Sequence, residues 1–548
     1  MGAALAAYQN SFSDSFIFDD LPAIVDNSTI RQLGSTGAWS PPIHSTVSGR
    51  PAVNFSLALS YAISGPRAWG YHAFNLGIHL LAGLTLFGVI RRTLLQPVLR
   101  PRFGSAALPL AFAATLLWIL HPLQTESVTY LAQRAESLMG LFYLLTLYAF
   151  IRSAESRHTK FWPLLAVIAC AFGMASKEVM VSAPLVVLLY DRTFLAGTFR
   201  DAWRQRRGLY LGLAGTWLLL GGLVLGNHNR GGSAGFGLGV APLDYALTQV
   251  GAIAHYLYLS VWPRPLIFDY GSELTPPSFA LLGPAAVVLG LLAGVAVALW
   301  RWPVVGFVGV WFFAILAPSS SFVPVASQTI AEHRMYLSLA APIILIVTGL
   351  NLLLGRWSLL AVAALATALG FLTAQRNEDY RSPLSIWSDT VAKRPENPRA
   401  QDSLGNALVK NGRVDEAIPH FAEAVRLSPH DAKLRNNLGN GLALLGRSDE
   451  AMVEFKTAIR LKPDYADAHY NLGLALDQKG RTSDAIVQYE AAVQLNPDHL
   501  DAQFNLGCVL VQTGQVDEAI AHFEQAARLR PNDPETLAYL ARLRALKK

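Results

Sequence analysis

The sequence predicts an all-α protein in two parts, a polytopic bundle of membrane-spanning helices followed by a water-soluble α-solenoid. Three observations carry this reading. The 548-residue chain is 52% hydrophobic and only 15% charged, with a mean hydropathy of +0.32, too apolar on average for a soluble protein. The apolarity is uneven: before Arg376 it gathers in runs close to the roughly 20 residues that cross a bilayer, and beyond that point the composition is that of soluble helices. Finally, Pro395, Pro429, Pro463, Pro497 and Pro531 recur with a strict period of 34. The implied division is 1–375 for the membrane part, with a first outer loop at 13–70, then a linker at 376–394 and a repeat part at 395–548. The net charge of +6 does not point to nucleic acid, because many Lys and Arg residues sit in short loops between apolar runs, where the positive-inside bias accounts for them. The two cysteines, Cys170 in an apolar run and Cys508 in a repeat helix, are not expected to pair.

Taken in order, Met1–Ala7 is short, apolar and uncharged, lacks the basic start of a signal peptide, and fits the tail of a first membrane helix. The loop that follows holds Asp19, Asp20, Asp26, His44 and Arg50-Pro51, and is long enough to be functional. A span at 71–90 ends in Arg91, Arg92, Arg100 and Arg102, which marks that side as cytosolic and the 13–70 loop as external. Spans at 105–120, 137–151, 161–176, 179–190 and 208–226 keep the parity. They bring His121, Glu126, Arg134, Glu136, Lys177 and Glu178 to the outside, and Arg152, Arg157, Lys160 and the Arg200–Arg207 stretch to the cytosol. A Gly-rich loop, Asn227–Gly239, is external. The run 244–262 contains Asp244, Gln249 and His255; if it spanned, Arg301 and Arg356 would fall on the wrong side, so it is expected to be re-entrant or interfacial. Spans at 279–300, 303–318, 336–354 and 357–374 complete the bundle. Ser319–Arg334 and the repeat part are then external: periplasmic for a bacterial inner-membrane protein, which the short loops favour, or lumenal in the endoplasmic reticulum of a eukaryote.

Within the repeats, Gly405, Gly439, Gly473 and Gly507 keep the same register. So do Ala417, Ala451, Ala485 and Ala519, and the acidic pairs Asp415-Glu416, Asp449-Glu450 and Asp517-Glu518. This pattern resembles the tetratricopeptide repeat (TPR), a helix–turn–helix unit that stacks into a superhelix with a concave groove; four units and a capping helix are expected. Asn437, Asn471 and Asn505 occupy one helix position 34 apart, with Ser403 in the first unit. Stacking lines them up as a ladder that resembles the asparagine ladder of O-GlcNAc transferase, whose amides suit a peptide backbone. The alternative is that Asn-Leu-Gly is repeat consensus.

The external face therefore collects Asp19, Asp20, Arg50, His121, Glu126, Arg134, Glu136, Lys177, Glu178, Glu332, His333 and Arg334. Ionisable groups at the bilayer boundary are expensive to desolvate and face a polar cavity or a partner. A carboxylate there suits a general base for a hydroxyl nucleophile, and Arg or Lys suits the phosphate of a leaving group. Internal ion pairs and helix caps are the structural alternative for each. His121 before Pro122 invites a metal, but no second ligand has metal-site spacing; no tightly held metal is expected, and a loosely bound divalent cation stays open. Asn27-Ser28-Thr29 fits a glycosylation sequon.

The motifs Phe18-Asp19-Asp20, Gly49-Arg50-Pro51, His121-Pro122 with Thr125-Glu126, Arg134 with Glu136, Lys177-Glu178, and Glu332-His333-Arg334 with Tyr336 resemble the transmembrane and TPR-containing O-mannosyltransferases. The resemblance implies a GT-C architecture, in which a multispan enzyme passes a sugar from a polyprenyl-phosphate donor to an acceptor on the non-cytosolic side. It implies that Asp19 or Asp20 is the base, and that the other charged residues support the donor phosphate or the site. The expected partners are the lipid-linked sugar, with no tightly bound cofactor, and a protein acceptor held through Asn437, Asn471 and Asn505. A glycan or lipid acceptor, or a non-catalytic membrane scaffold, are the alternatives.

Overall fold

The structure, a computed structural model, describes residues 1–13, 15–43, 45–156, 160–226, 235, 239–276, 278–321, 323–325 and 328–546. His44, Arg157 and most of the 227–239 loop lie outside the described residues. The chain divides into two compact units, Met1–Asp389 and Thr390–Lys548. That boundary falls inside a helix, Pro383–Lys393, where a linker was expected.

In the first unit, each expected span has its helix. They are Ala68–Leu94, Ala107–Ile119, Arg134–Glu155, Phe161–Met174, Ala183–Asp191, Phe199–Gly226, Leu282–Arg301, Pro303–Leu316, Ala340–Leu354 and Ser358–Asp379. By length and apolarity six helical stretches among the described residues qualify as membrane-crossing, Ala340–Asp379 being counted as one. Gly355, with φ +52°, turns the chain between its two halves, a backbone conformation glycine adopts without steric cost. A seventh stretch is broken: Ala107–Ile119 and Pro122–Val128 meet at 57°. Pro122 starts the second piece, as its fixed φ and missing N–H allow. Pro242–Val261 is one continuous helix, without an internal break for a re-entrant turn. Before the first long span, the short helix Pro51–Ser64 closes the outer loop over the bundle.

The second unit is a solenoid of antiparallel helix pairs. The first helices of the pairs are Pro398–Lys410, Ala432–Leu444, Ala466–Gln478 and Leu500–Gln512. The second are Val414–Leu427, Ser448–Leu461, Thr482–Leu495 and Val516–Leu529, and Pro534–Leu546 caps the stack. The periodic glycines are explained by contact. A Cβ on Gly405, Gly439, Gly473 or Gly507 would lie 2.6, 2.5, 2.8 or 2.9 Å from the ring of Phe421, Phe455, Tyr489 or Phe523, so glycine lets the second helix press an aromatic ring onto the first. A polar pair recurs across each helix hairpin at a spacing of 19: Gln401 with His420, Arg435 with Glu454, His469 with Gln488, and Gln503 with His522.

Alanine has a higher helix propensity than glycine by about 1 kcal/mol, whereas overpacking a filled contact costs about 1–3 kcal/mol. With only 2.5 Å to the Phe455 ring, the second effect wins at position 439. Gly439→Ala is expected to lower the thermal midpoint of the repeat unit in the full chain, read by proteolysis of that unit on heating. An unchanged or raised midpoint would show that the ring has room to give.

Candidate active site

The outer loop reaches the bundle through one strained turn. Phe18 has φ +43°, the only non-glycine residue with positive φ among the described residues, a conformation that costs about 1–3 kcal/mol. The turn sends the two neighbouring acids to different places. Asp20 is 1% exposed; its Oδ2 accepts the Ile17 N–H at 3.0 Å and its Oδ1 the Ala132 N–H at 2.6 Å. It therefore ties the loop to the segment before the helix Arg134–Glu155. Burial pushes its carboxyl well above the usual range, while the two backbone donors pull it back. Asp19 instead lines a cavity of about 180 Å³, and its backbone N–H donates to the Tyr130 hydroxyl at 3.1 Å.

The same cavity is lined by Arg50, Lys177, Glu178, His333 and Arg334, so it gathers side chains from separate stretches of sequence. Arg50 donates to the Thr46 carbonyl at 2.8 Å and lies 3.8 Å from Glu178. Lys177 pairs with Glu136, which is buried behind it. Arg334 is 4% exposed and donates to the Thr329 carbonyl at 3.0 Å and the Gln328 carbonyl at 2.6 Å, with longer bonds to Tyr245, Gln249 and Ser320. Every one of these acceptors is neutral. His333 presents its backbone N–H at 2.8 Å and its Nδ1 at 2.6 Å to Glu126, which leaves Nε2 as the ring nitrogen available to the cavity. Burial, with the Lys177 and Arg334 cations near, holds the His333 imidazole well below its ordinary pKa. Three cations, Arg50, Lys177 and Arg334, thus share the lining with the carboxylates Asp19 and Glu178 and a neutral histidine, and Glu136 behind the lining is the partner of Lys177. Three polar atoms in the lining, Thr46 Oγ1, Ser48 Oγ and Arg50 Nε, are buried without a hydrogen-bond partner. Unsatisfied groups of this kind are costly and are what a polar ligand would satisfy.

Other residues of the expected set lie outside this lining. His121 accepts from the Leu123 N–H at 3.3 Å and contacts the Ser260 carbonyl at 3.3 Å, so it caps the piece that begins at Pro122. Arg134 donates to Asn75, Ser56, Ser60 and Tyr71 and takes no ligand-facing position. Glu332 accepts from the Ile267 N–H at 2.6 Å and the Tyr270 hydroxyl at 2.8 Å. Asn27 is 1% exposed, and its amide is bonded to the Ala23 carbonyl and Asn54, so the sequon is closed to glycosylation in the folded chain. In the solenoid, Asn437, Asn471 and Asn505 each donate to the preceding repeat, to Asp402, Asn436 and the Tyr470 hydroxyl. The ladder is thus a row of stitches between repeats. Among the described residues no group of three or more His, Cys, Asp or Glu side chains is placed to hold a metal ion. Thr46 and Ser48 line the site and Tyr130 holds the Asp19 N–H beside it; all three escape sequence reasoning, because an isolated hydroxyl in a loop carries no periodic or charge signal.

Fold and site together define a multispan helical membrane protein with a polar, cation-rich cavity and a C-terminal repeat solenoid. The comparisons agree with the resemblance carried by the motifs. Family profiles described as tetratricopeptide repeat match residues 371–432 and 478–543, and one described as TPR repeat matches 439–480. The chain is 24% identical over 506 residues to protein O-mannosyl-transferase Tmtc3 of Drosophila melanogaster, covering 78% of this chain and 54% of that one. It is 24% identical over 494 residues to TMTC1 of Homo sapiens, covering 78% and 54%. With the protein O-mannosyl-transferase F38B6.6 of Caenorhabditis elegans it shares 23% identity over 446 residues, covering 77% and 61%. The chain spans about half the length of the curated relatives it matches. Among solved structures, MamA is 26% identical; the match covers 27% of this chain and 86% of that one, with a TM-score of 0.25. A thermophilic TPR protein of Thermus thermophilus is 23% identical, with 32% of this chain and 93% of that one covered and a TM-score of 0.27.

A histidine whose folded pKa is depressed favours folding in its neutral form, so its contribution is present above the unfolded pKa near 6.5 and is lost as pH falls. Between pH 7 and pH 5 this group is expected to cost the wild-type chain up to about 1.4 kcal/mol per pH unit, against the opposite slope of the buried Glu332, whose carboxyl is pushed up to about 7 by burial. His333→Gln is expected to remove the histidine's share, so that in a pH series of melting curves the variant loses less stability, or gains more, than wild type as pH falls. An identical slope in the variant would show that His333 does not titrate as its burial requires.

Proposed function

We propose that this protein is an integral-membrane glycosyltransferase that moves a sugar from a polyprenyl-phosphate donor to a Ser or Thr hydroxyl of a protein. The names of the relatives make mannose the sugar to test first. The observation that carries the reading is the cavity whose lining brings Asp19 together with three cations, Arg50, Lys177 and Arg334. A lipid-phosphate sugar carries a negative phosphodiester, which suits a lining in which Arg334 has only neutral hydrogen-bond acceptors.

In this reaction the Asp19 carboxylate takes the proton of the acceptor hydroxyl, and that oxygen attacks the anomeric carbon. The bond from that carbon to the phosphate oxygen breaks, and the electron pair leaves with the polyprenyl phosphate. The phosphate gains a charge as it departs, and Arg50, Lys177 and Arg334 stabilise it. Direct displacement inverts the anomeric configuration. Thr46, Ser48 and the Arg50 Nε supply hydrogen-bonding groups for phosphate or sugar oxygens. Asp20 has no place in this chemistry, since both its oxygens hold backbone N–H groups. No resident cofactor or tightly held metal enters the scheme.

Each asparagine amide of the ladder commits one N–H to the neighbouring repeat, while its second N–H and its carbonyl suit the backbone of an acceptor peptide; a glycan or lipid acceptor is the second reading.

The test is transfer by the purified full chain from labelled polyprenyl-phosphate mannose to a membrane-protein extract, with and without a chelator. Asp19→Asn is expected to lower the rate about 10²–10⁴-fold with a smaller change in melting temperature than Asp20→Asn. Asp20→Asn is expected to lower the melting temperature first. Equal rates for wild type and Asp19→Asn would remove Asp19 as the base, and label appearing only in lipid or glycan would select the second reading.

A further inference from the structure

The Asp19 turn is held from two sides. Across Phe18, Asp20 closes the turn by accepting the Ile17 N–H and donating its own N–H to the Ile17 carbonyl at 2.8 Å; beyond it, Asp20 also accepts the Ala132 N–H, and the Asp19 N–H bonds Tyr130. On the other side the Phe18 ring packs among aromatic neighbours: it meets Trp387 edge-on at 5.3 Å and 80°, and Phe268 at 6.3 Å and 80°. Phe268 in turn packs edge-on against Trp387 at 5.2 Å, Tyr130 at 5.0 Å and Tyr380 at 5.8 Å. Trp387 is 3% exposed. It comes from Pro383–Lys393, a helix beyond the last membrane helix, and Arg376 fixes that helix by donating to Asp389 at 2.8 Å.

We propose that Trp387 is a positioning residue for the candidate base: its indole clamps the Phe18 ring, keeps the turn left-handed and so holds the Asp19 side chain in the cavity. This rests on the reading of Asp19 as the base. Without the indole, the backbone relaxes toward the right-handed region that an L-residue prefers. The peptide joining Phe18 and Asp19 then rotates, while Asp20 remains anchored to the Ala132 N–H. The first acid leaves the cavity and the second stays in the wall. Donor binding is assigned to Arg50, Lys177 and Arg334, which come from other segments than the clamp, so the defect falls on turnover.

Two readouts on the full chain test this. In the transfer assay with labelled polyprenyl-phosphate mannose, Trp387→Ala is expected to lower kcat at least tenfold with the donor KM within twofold of wild type. Trp387→Phe, which keeps a ring on Phe18, is expected to recover most of kcat. In Phe18→Gly, the turn has no ring to clamp, and adding Trp387→Ala is expected to cost nothing further. The second readout needs no activity. In a Cys508→Ser background carrying Asp19→Cys, the rate of labelling by a charged thiol reagent is expected to change severalfold on Trp387→Ala and to stay unchanged on Trp387→Phe. If wild type transfers sugar and Asp19→Asn abolishes it while Trp387→Ala matches wild type in both kcat and labelling rate, the clamp is wrong and the base assignment stands. If Asp19→Asn is as active as wild type, the base assignment fails. Parallel loss of kcat and melting temperature in Trp387→Ala and Trp387→Phe alike, with additive losses in the Phe18→Gly background, would reduce Trp387 to a packing residue and overturn the proposal.

Discussion

Arg134 carries a full charge at 0% exposure with no carboxylate among its hydrogen-bond partners, and the outer face of the bundle is assembled around it. A buried guanidinium is tolerable only if its donors are satisfied. Here Nε bonds Asn75 at 2.6 Å, Nη1 bonds the Ser56 carbonyl and Ser60 hydroxyl at 2.9 Å, and Nη2 bonds the Tyr71 carbonyl at 3.0 Å. The Tyr71 and Phe74 rings flank it at 5.7 and 4.9 Å. One side chain thus joins Pro51–Ser64 and Ala68–Leu94 to the start of Arg134–Glu155. Two residues before it, the Ala132 N–H holds Asp20; two residues after it, Glu136 holds Lys177. The walls of the cavity take their spacing from this centre.

Around that centre, buried ionisable groups are satisfied by partners drawn from different elements, only some of them charged. Glu136 meets Lys177, Glu126 meets the neutral His333, and Glu332 is quenched by a backbone N–H and a tyrosine hydroxyl. Arg334, like Arg134, has only neutral acceptors, but it lines the cavity where Arg134 does not. An anionic ligand supplies the missing charge, and the orphaned Thr46, Ser48 and Arg50 atoms in the same wall need partners of the same kind. Strain at Phe18 belongs to this account, because the turn sends one acid toward the cavity and the other into the wall.

Much of this was legible in the sequence, for physical reasons that differ by part. Span positions follow from hydropathy, since a bilayer imposes a minimum apolar length, and the ten helices fall on the ten expected runs. The solenoid follows from a period no other fold requires, and the contact of each periodic glycine with an aromatic ring explains why the period is strict. Gathering the charged motifs by membrane face was enough to collect Arg50, Lys177, Glu178, His333 and Arg334, which all line one cavity. What sequence could not supply was direction. Asp19 and Asp20 are chemically identical neighbours, and only the sign of φ at Phe18 separates them. His121, Arg134 and Glu332 carry the residue types of a site but spend them on backbone and neutral side chains. The asparagine ladder has the right spacing for a peptide, yet its amides turn inward along the stack, because the residue 35 positions earlier is polar in each case. Trp387, in a stretch that composition marks only as a linker, offered no hint of its place beside the turn.

The central claim is that the cation-rich cavity beside Asp19 holds the phosphate of a lipid-linked sugar. The most direct measurement is a cryo-electron microscopy structure of the Asp19→Asn protein with polyprenyl-phosphate mannose bound. The account predicts phosphate density among Arg50, Lys177 and Arg334, with the anomeric carbon facing residue 19 and the lipid tail leaving between helices. Donor density elsewhere, such as the second cavity lined by Ser105, Asn351 and Arg356, with the Asp19 cavity holding only water, would contradict it.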